Sequence, residues 1–86
     1  MTKYNGWTNY ATWRVNLEMF DGIDPFEMYG SNLDHSDLPG YLKEEACNIL
    51  ENQTEPGLAL DYALAFISDV NWHEIAAHMI EAHADA

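Results

Sequence analysis

The sequence predicts an all-α fold, a compact single-domain bundle of four to five short helices over residues 1–86. Apolar residues recur at helical spacing in successive segments, and cap residues or glycine and proline separate those segments. Period-2 alternation is absent and β-branched residues are sparse, which argues against strands. A chain of 86 residues with 48% hydrophobic composition has enough apolar material for one core.

The first predicted helix lies in the aromatic segment NGWTNYATWRVNLEMF, residues 5–20. Thr8 or Asn9 is its expected N-cap and Gly22 its expected stop. Its large apolar residues recur at i, i+3, i+7 and i+10 and share one helical face: Tyr10, Trp13, Leu17 and Phe20. We interpret this face as core packing, with a partner-binding groove as the alternative. We also expect Trp7 to fold back over the core.

Two capped segments follow. The stretch DPFEMYG predicts a short helix that is capped by Asp24, has Pro25 in its first position and ends at Gly30. After a polar loop, Asp37 is the predicted N-cap of a third helix that extends to about Asn52.

The last two segments are predicted to complete the bundle. Residues 55–69, capped by Thr54, contain GLALDYALAFI, which is apolar on almost every side and therefore predicts a buried central helix. The fifth helix opens with Asn71 as N-cap and Glu74 at N3. Across the chain, we expect the following side chains to be buried: Leu58, Tyr62, Phe66, Trp13, Leu42, Ile49, Ile75 and Met79.

The net charge of −12 narrows the choice of partner. Lys3, Arg14 and Lys43 oppose fifteen carboxylates, whereas a small domain usually carries a net charge of magnitude about 2 to 8. Direct nucleic-acid binding and adsorption to an anionic membrane are disfavoured, because both need Lys or Arg. A basic, nucleic-acid-binding protein or complex is the favoured partner.

Cysteine usage and the N-terminal residues predict a cytoplasmic location. Cys47 is the single cysteine, so an internal disulfide is excluded, which fits a reducing compartment. The stretch MTKYNGW lacks the apolar region of a secretory signal, and no apolar run approaches the ~20 residues of a membrane span.

Catalytic, cofactor and metal motifs are missing from the sequence. It contains no G-x-S-x-G, P-loop or G-x-G-x-x-G. His73, His78 and His83 follow one another at steps of five, which rotates successive rings by ~140°, whereas zinc-binding helices place histidines at i and i+4. We therefore expect a protein that is not an enzyme, with no cofactor and no metal site.

Carboxylates form a stripe on the third predicted helix. Asp37, Glu44 and Glu51 recur at i, i+7 and i+14 opposite much of the apolar face, with Asp34 just before them and Glu55 just after. A solubilising face is the ordinary explanation, but such faces mix both signs of charge and this stripe does not. These five acids are the predicted partner-binding residues.

Two further charged residues are singled out by their positions. Glu45 falls inside the apolar face of the third helix, where a carboxylate needs a partner, and Arg14, Lys3 or a tyrosine hydroxyl can supply one. A structural tie is favoured there over a catalytic acid. Arg14 also precedes Glu18 by four residues, which predicts an ion pair on the first helix.

The segment YNGWTNYATWRVNLE, Tyr4 to Glu18, resembles the opening of a group of small, acidic, mostly uncharacterised proteins of phages and plasmids. Those proteins typically begin with a Tyr-Asn-Gly-Trp-Thr-Asn-Tyr-x-Thr-Trp stretch. The resemblance covers the first fifth of the chain and implies a mobile-element protein that acts in the cytoplasm of a host cell. Small acidic proteins in that setting are often antagonists of restriction or CRISPR machinery, and some are DNA mimics.

Charge and resemblance together lead to one hypothesis and one alternative. The hypothesis is a non-enzymatic inhibitor of a host-defence complex, anti-CRISPR or anti-restriction, that acts through an acidic, DNA-mimicking face. The alternative is a small phage accessory or assembly protein that binds its partner through the aromatic N-terminal helix.

Overall fold

The computed structural model describes residues 4–83, and the all-α prediction is confirmed over that range. Asn16–Phe20 continue the first helix as a π-helical turn, and His35–Asp37 form a 3₁₀ turn that leads into the third. The α-helices are α1 (Tyr10–Val15), α2 (Pro25–Tyr29), α3 (Leu38–Gln53), α4 (Leu58–Ile67) and α5 (Trp72–His83).

Three of the predicted helix starts are confirmed by their capping hydrogen bonds. The Asn9 side chain accepts from the Thr12 N–H at 2.9 Å, and the Asp24 carboxylate accepts from the Phe26 N–H at the same distance. Before α5, the Asn71 side chain accepts from the N–H of its N3 residue at 3.1 Å. Each cap pairs one of the N–H groups that a helix leaves unsatisfied at its start.

Two other predicted caps differ in the structure, although α3 begins directly after Asp37 as predicted. Asp34, not Asp37, makes the capping bond before α3, because the polar loop closes into the 3₁₀ turn and Asp34 accepts from the Ser36 N–H. Thr54 does not cap α4 but follows the last residue of α3. Gly57 is the residue that precedes α4, and its φ of +152° is a backbone conformation that glycine adopts readily and other residues rarely adopt.

The centre of the protein lies between α3 and α5, which make the most extensive packing contact in the described chain. The predicted burial of Leu42, Ile75 and Met79 is confirmed, with exposures of 2% or less. Trp13 and Ile49 were also predicted to be buried but are only half-buried. The remaining core residues come from the first helix, α3, α4, α5 and the loop before α5: Ala11, Val15, Phe20, Leu38, Ala46, Ile67, Val70 and Ala76.

The prediction that α4 is the buried centre is wrong. Leu58 is 67% exposed, Tyr62 69% and Phe66 39%, and Ile67 is the only residue of α4 that is fully buried. The protein measures 42 × 32 × 20 Å, so its short dimension holds about two helix layers of ~10 Å each. In a bundle two layers thick, every helix has an outer side, and α4 contacts only α3 and α1 among the larger packing pairs.

The prediction that the aromatic stripe of the first helix is core is also wrong for most of its length. Tyr10 is 41% exposed and Leu17 48% exposed. The buried side of this helix consists of smaller residues, namely Ala11, Thr12, Val15 and Asn16. Phe20 is buried as predicted. It follows Val15 by five residues, and the π-helical turn brings residues five apart to the same, inner side of the helix.

Polar residues of the first helix and of the α5 start are joined in what we call the polar clasp: Thr8, Asn9, Thr12, Asn71 and Glu74. The Thr12 hydroxyl accepts from the Asn71 N–H at 2.9 Å and donates to the Asn9 side chain at 2.7 Å. Glu74 accepts from the Thr8 N–H at 2.9 Å, and the Asn71 amide donates to the Thr8 hydroxyl at 3.2 Å. The two helix starts therefore complete each other's hydrogen bonds across the bundle.

A tight turn precedes α1. Tyr4 and Trp7 exchange two backbone hydrogen bonds of 2.8 Å across Asn5 and Gly6, which have φ of +48° and +87°. Asn-Gly is the residue pair that favours such a turn. The turn lays the half-buried Trp7 against the core, with its ring centroid 5.0 Å from that of His78. The predicted folding back of Trp7 is confirmed.

Candidate partner-binding surfaces

All five of the predicted partner-binding acids lie on the exterior of the protein: Asp34, Asp37, Glu44, Glu51 and Glu55. Two are on α3, Asp37 directly precedes that helix, Asp34 caps the 3₁₀ turn, and Glu55 lies in the loop to α4. None of the five forms an ion pair within residues 4–83. We call them the acidic α3 surface. Lys43, exposed on the same helix immediately before Glu44, forms no ion pair with any of the five.

Asp34 is held in its charged form by its own turn. Its Oδ1 atom accepts from the Ser36 hydroxyl at 2.8 Å and from the Ser36 N–H at 2.9 Å. These two hydrogen bonds, the hydroxyl bond foremost, hold the pKa of the Asp34 carboxyl below its usual value. The charge of this exposed residue therefore persists into acidic solution.

A groove of about 200 Å³ opens beside the middle of the acidic α3 surface. It is lined by Glu44, Glu45, Tyr29, Tyr41 and Asn48. The two tyrosine rings are stacked, with centroids 5.1 Å apart and an angle of 30° between their planes. The half-buried Glu45 thus adds a second carboxylate directly beside Glu44 in this groove.

The tie predicted for Glu45 is not formed within the described residues. Arg14 instead pairs with Glu18, which confirms the predicted i, i+4 ion pair, and its Nη1 atom donates to the Tyr10 hydroxyl at 2.9 Å. Lys3, the second proposed partner, lies outside the described residues. No tyrosine hydroxyl donates to Glu45 over residues 4–83, and the Tyr29 hydroxyl instead points at the Tyr41 carbonyl, 3.5 Å away.

Burial raises the pKa of Tyr29, and the nearby charges of Glu45 and Glu44 raise it further. The pKa of Tyr29 is therefore higher in the folded chain than in the unfolded chain. Its contribution to the free energy of unfolding is fully present below about pH 10 and is lost as pH rises further. We expect Tyr29→Phe to make that alkaline loss shallower in urea titrations. Tyr62→Phe, at an exposed position, is the matched control, and an unchanged profile for Tyr29→Phe would contradict the expectation.

A second exposed surface is formed by α1 and α4, and we define it by Tyr10, Leu58, Tyr62 and Phe66 as the α1/α4 apolar surface. The Tyr10 and Phe66 ring centroids are 6.1 Å apart and the rings meet edge to face, which joins the two helices. Tyr4 extends the cluster, with its ring centroid 5.1 Å from that of Tyr10. Contiguous exposed apolar side chains of this kind mark interaction sites.

Sequence reasoning did not assign three of these four residues to a binding surface. Leu58, Tyr62 and Phe66 belong to a segment that is apolar on almost every side, so periodicity contains no signal for which side faces outward. For Tyr10, a partner-binding groove was the stated alternative to core packing, and the observed exposure of 41% favours that alternative.

Metal and thiol chemistry find little support in the described residues. No three His, Cys, Asp or Glu side chains between residues 4 and 83 are grouped so that they can hold a metal ion. Cys47 is free and half-buried, and it packs against the core.

Over the described range, no helix combines the length and the apolar character that crossing a bilayer requires. The fold and its surfaces define a small all-α protein with an acidic surface along α3 and an apolar surface across α1 and α4. Comparison with protein-family models, with curated proteins and with solved structures finds no match to this chain.

Proposed function

We propose that this chain is a non-enzymatic interaction protein whose acidic α3 surface occupies a basic, nucleic-acid-binding surface of a partner. The observation that supports this function is that all five carboxylates are exposed and none forms an ion pair in the described chain. Carboxylates that serve only solubility are ordinarily mixed with lysines. An unmixed row has its strongest attraction to a partner with clustered Lys and Arg.

The length of the row is compatible with a nucleic-acid mimic. Asp37 and Glu51 are separated by fourteen residues, or about 21 Å along a helix axis. That distance spans about six phosphate steps of one DNA strand. Over this length Asp37, Glu44 and Glu51 provide about half of the negative charge of six phosphates. Asp34, Glu45 and Glu55 make up part of the difference.

The class of partner follows from the resemblance of the first fifth of the chain to phage and plasmid proteins. A mobile element gains from blocking enzymes that recognise its DNA, and those enzymes expose basic channels. We therefore propose a host-defence complex, of the CRISPR or restriction type, as the target, with the protein acting in the cytoplasm of the host.

The test is a charge-removal variant, E44Q/E51Q/E55Q, compared with the parent in capture from host lysate and then in competition with duplex DNA for the captured partner. Each exposed charge pair contributes about 0.2–1 kcal/mol, so we expect the affinity to fall about tenfold. Added salt should weaken the parent complex steeply.

The matched control is D21N/E27Q/E81Q, which removes three exposed charges from other parts of the protein. It keeps the same net charge as the first variant, so it should bind and compete nearly as the parent does. If E44Q/E51Q/E55Q also competes as well as the parent, the acidity serves solubility alone. The exposed aromatic face of the first helix, with Tyr10 and Leu17, then becomes the better partner-binding surface, as expected for an accessory or assembly protein.

A further inference from the structure

We propose that the α1/α4 apolar surface binds a second copy of this chain, with the two α4 helices packed antiparallel about Tyr62. Leu58, Tyr62 and Phe66 follow one another at i, i+4 and i+8, so they form one straight row on the exposed side of α4. Because Leu58 and Phe66 are equally far from Tyr62, an antiparallel copy places each Leu58 opposite the Phe66 of the other chain. A two-fold dimer requires this kind of self-complementary surface.

Small residues beside the row leave space for the second helix. Ala59 and Ala65 are exposed and flank the row, one on each side, so the large side chains of the row stand beside shallow grooves. Large side chains of one helix pack into grooves of this kind on another helix. The row and the grooves are therefore complementary to a copy of themselves.

Charge favours a second copy over a basic partner at this surface. The charged residues closest to it are one positive and three negative: Arg14, Glu18, Asp61 and Asp69. Arg14 and Glu18 already form an ion pair, and the net charge here is −2, against −5 for the acidic α3 surface. Two copies therefore repel each other less through this surface than through the acidic α3 surface, where a basic partner gains most.

The exposed area fits the apolar centre of a modest dimer interface. With about 200 Å² for each aromatic side chain, the exposed parts of Tyr10, Tyr62 and Phe66 amount to about 300 Å², and Leu58 adds to this. A standard interface buries about 800 Å² per partner, with a more polar rim around its apolar centre. We therefore expect a reversible dimer that forms as protein concentration rises.

Sedimentation equilibrium over a wide range of concentration, with reducing agent present, measures the association. The average mass of the parent should rise from the 9.8 kDa of one chain towards twice that value. Salt should strengthen this association by screening the repulsion between two acidic chains, which is opposite to its effect on binding a basic partner. A parent that is monomeric at all concentrations and salt levels overturns the proposal and leaves the surface to a different protein.

Single substitutions locate the interface. Tyr62→Gln should weaken the association about tenfold or more, since buried aromatic residues dominate interface energies. Met28→Gln is the matched control, because Met28 is 40% exposed but lies on α2. E44Q/E51Q/E55Q should associate at least as strongly as the parent, because it removes repelling charge outside the α1/α4 apolar surface, so failure of the proposed function and failure of this dimer are separate results. Unchanged association of Tyr62→Gln would overturn the proposal.

Cross-linking tests the antiparallel arrangement. In a Cys47→Ala background, Tyr62→Cys should form an interchain disulfide on oxidation, because the two-fold axis brings the two copies of position 62 together. Leu58→Cys should not, because its two copies are offset by about 12 Å along the helices. Equal cross-linking of both variants would overturn the antiparallel arrangement. Circular dichroism of each variant checks that the fold is retained.

Discussion

Leu42→Ala is expected to lower the free energy of unfolding by about 2–5 kcal/mol, because the substitution removes buried methyl groups and leaves a cavity. Leu42 is fully buried on α3, at the contact with α5 that forms the centre of the protein. A chain of this size has about 4–13 kcal/mol of stability in total, so the loss is a substantial share of it and the midpoint of denaturation should fall clearly. Urea denaturation followed by far-UV circular dichroism measures the change.

Leu58→Ala is the matched control, since it makes the same chemical change at a position that is 67% exposed. Its effect should be within about 0.5 kcal/mol of the parent when the protein is dilute enough to be monomeric. The pair of variants distinguishes the observed fold from one in which α4 is central. Equal losses for Leu42→Ala and Leu58→Ala would contradict the two-layer arrangement.

Thr12→Val is expected to cost about 1–3 kcal/mol, although valine has nearly the same shape. The Thr12 side chain is fully buried, and its hydroxyl is the acceptor for the Asn71 N–H at 2.9 Å. Valine leaves that N–H without its partner and also removes the bond to the Asn9 side chain. Urea denaturation measures the loss, and hydrogen exchange at Asn71 should speed up more than exchange in the middle of α3.

Thr54→Val is the control for this second substitution. Thr54 is half-buried in extended backbone between α3 and α4, with φ of −135°, which valine adopts readily. Its hydroxyl makes no hydrogen bond within residues 4–83, so a change of less than about 0.5 kcal/mol is expected. A loss for Thr54→Val as large as that for Thr12→Val would mean that the polar clasp does not stabilise the fold.

The capped helices were the most predictable part of the structure. Asn9, Asp24 and Asn71 cap their helices as expected, since a capping bond joins residues two or three positions apart and depends on local sequence alone. The capping bond before α3 was assigned to the wrong residue for a related reason, although the helix begins directly after Asp37 as predicted. Asp34 and Asp37 are both suitable caps, and the choice between them depends on whether the loop forms a 3₁₀ turn.

The candidate sites were predictable to different degrees. Charged side chains are almost always exposed, so the acidic α3 surface followed from residue type and spacing. The α1/α4 apolar surface did not, because apolar residues occur both in cores and on exposed faces. The exposure of Tyr62 was therefore decided by how the bundle is assembled.

By itself, the sequence determined the helices, most of their limits and the acidic stripe of α3, because periodicity, capping and residue type act over a few residues. The tertiary structure decided which side of each helix is inner. In α1 that side contains Ala11 and Thr12 because the Thr12 hydroxyl must meet the Asn71 N–H, fifty-nine residues away. In α4 it contains Ile67, and Tyr62 faces outward, because a bundle two layers thick has no central position for a fourth helix.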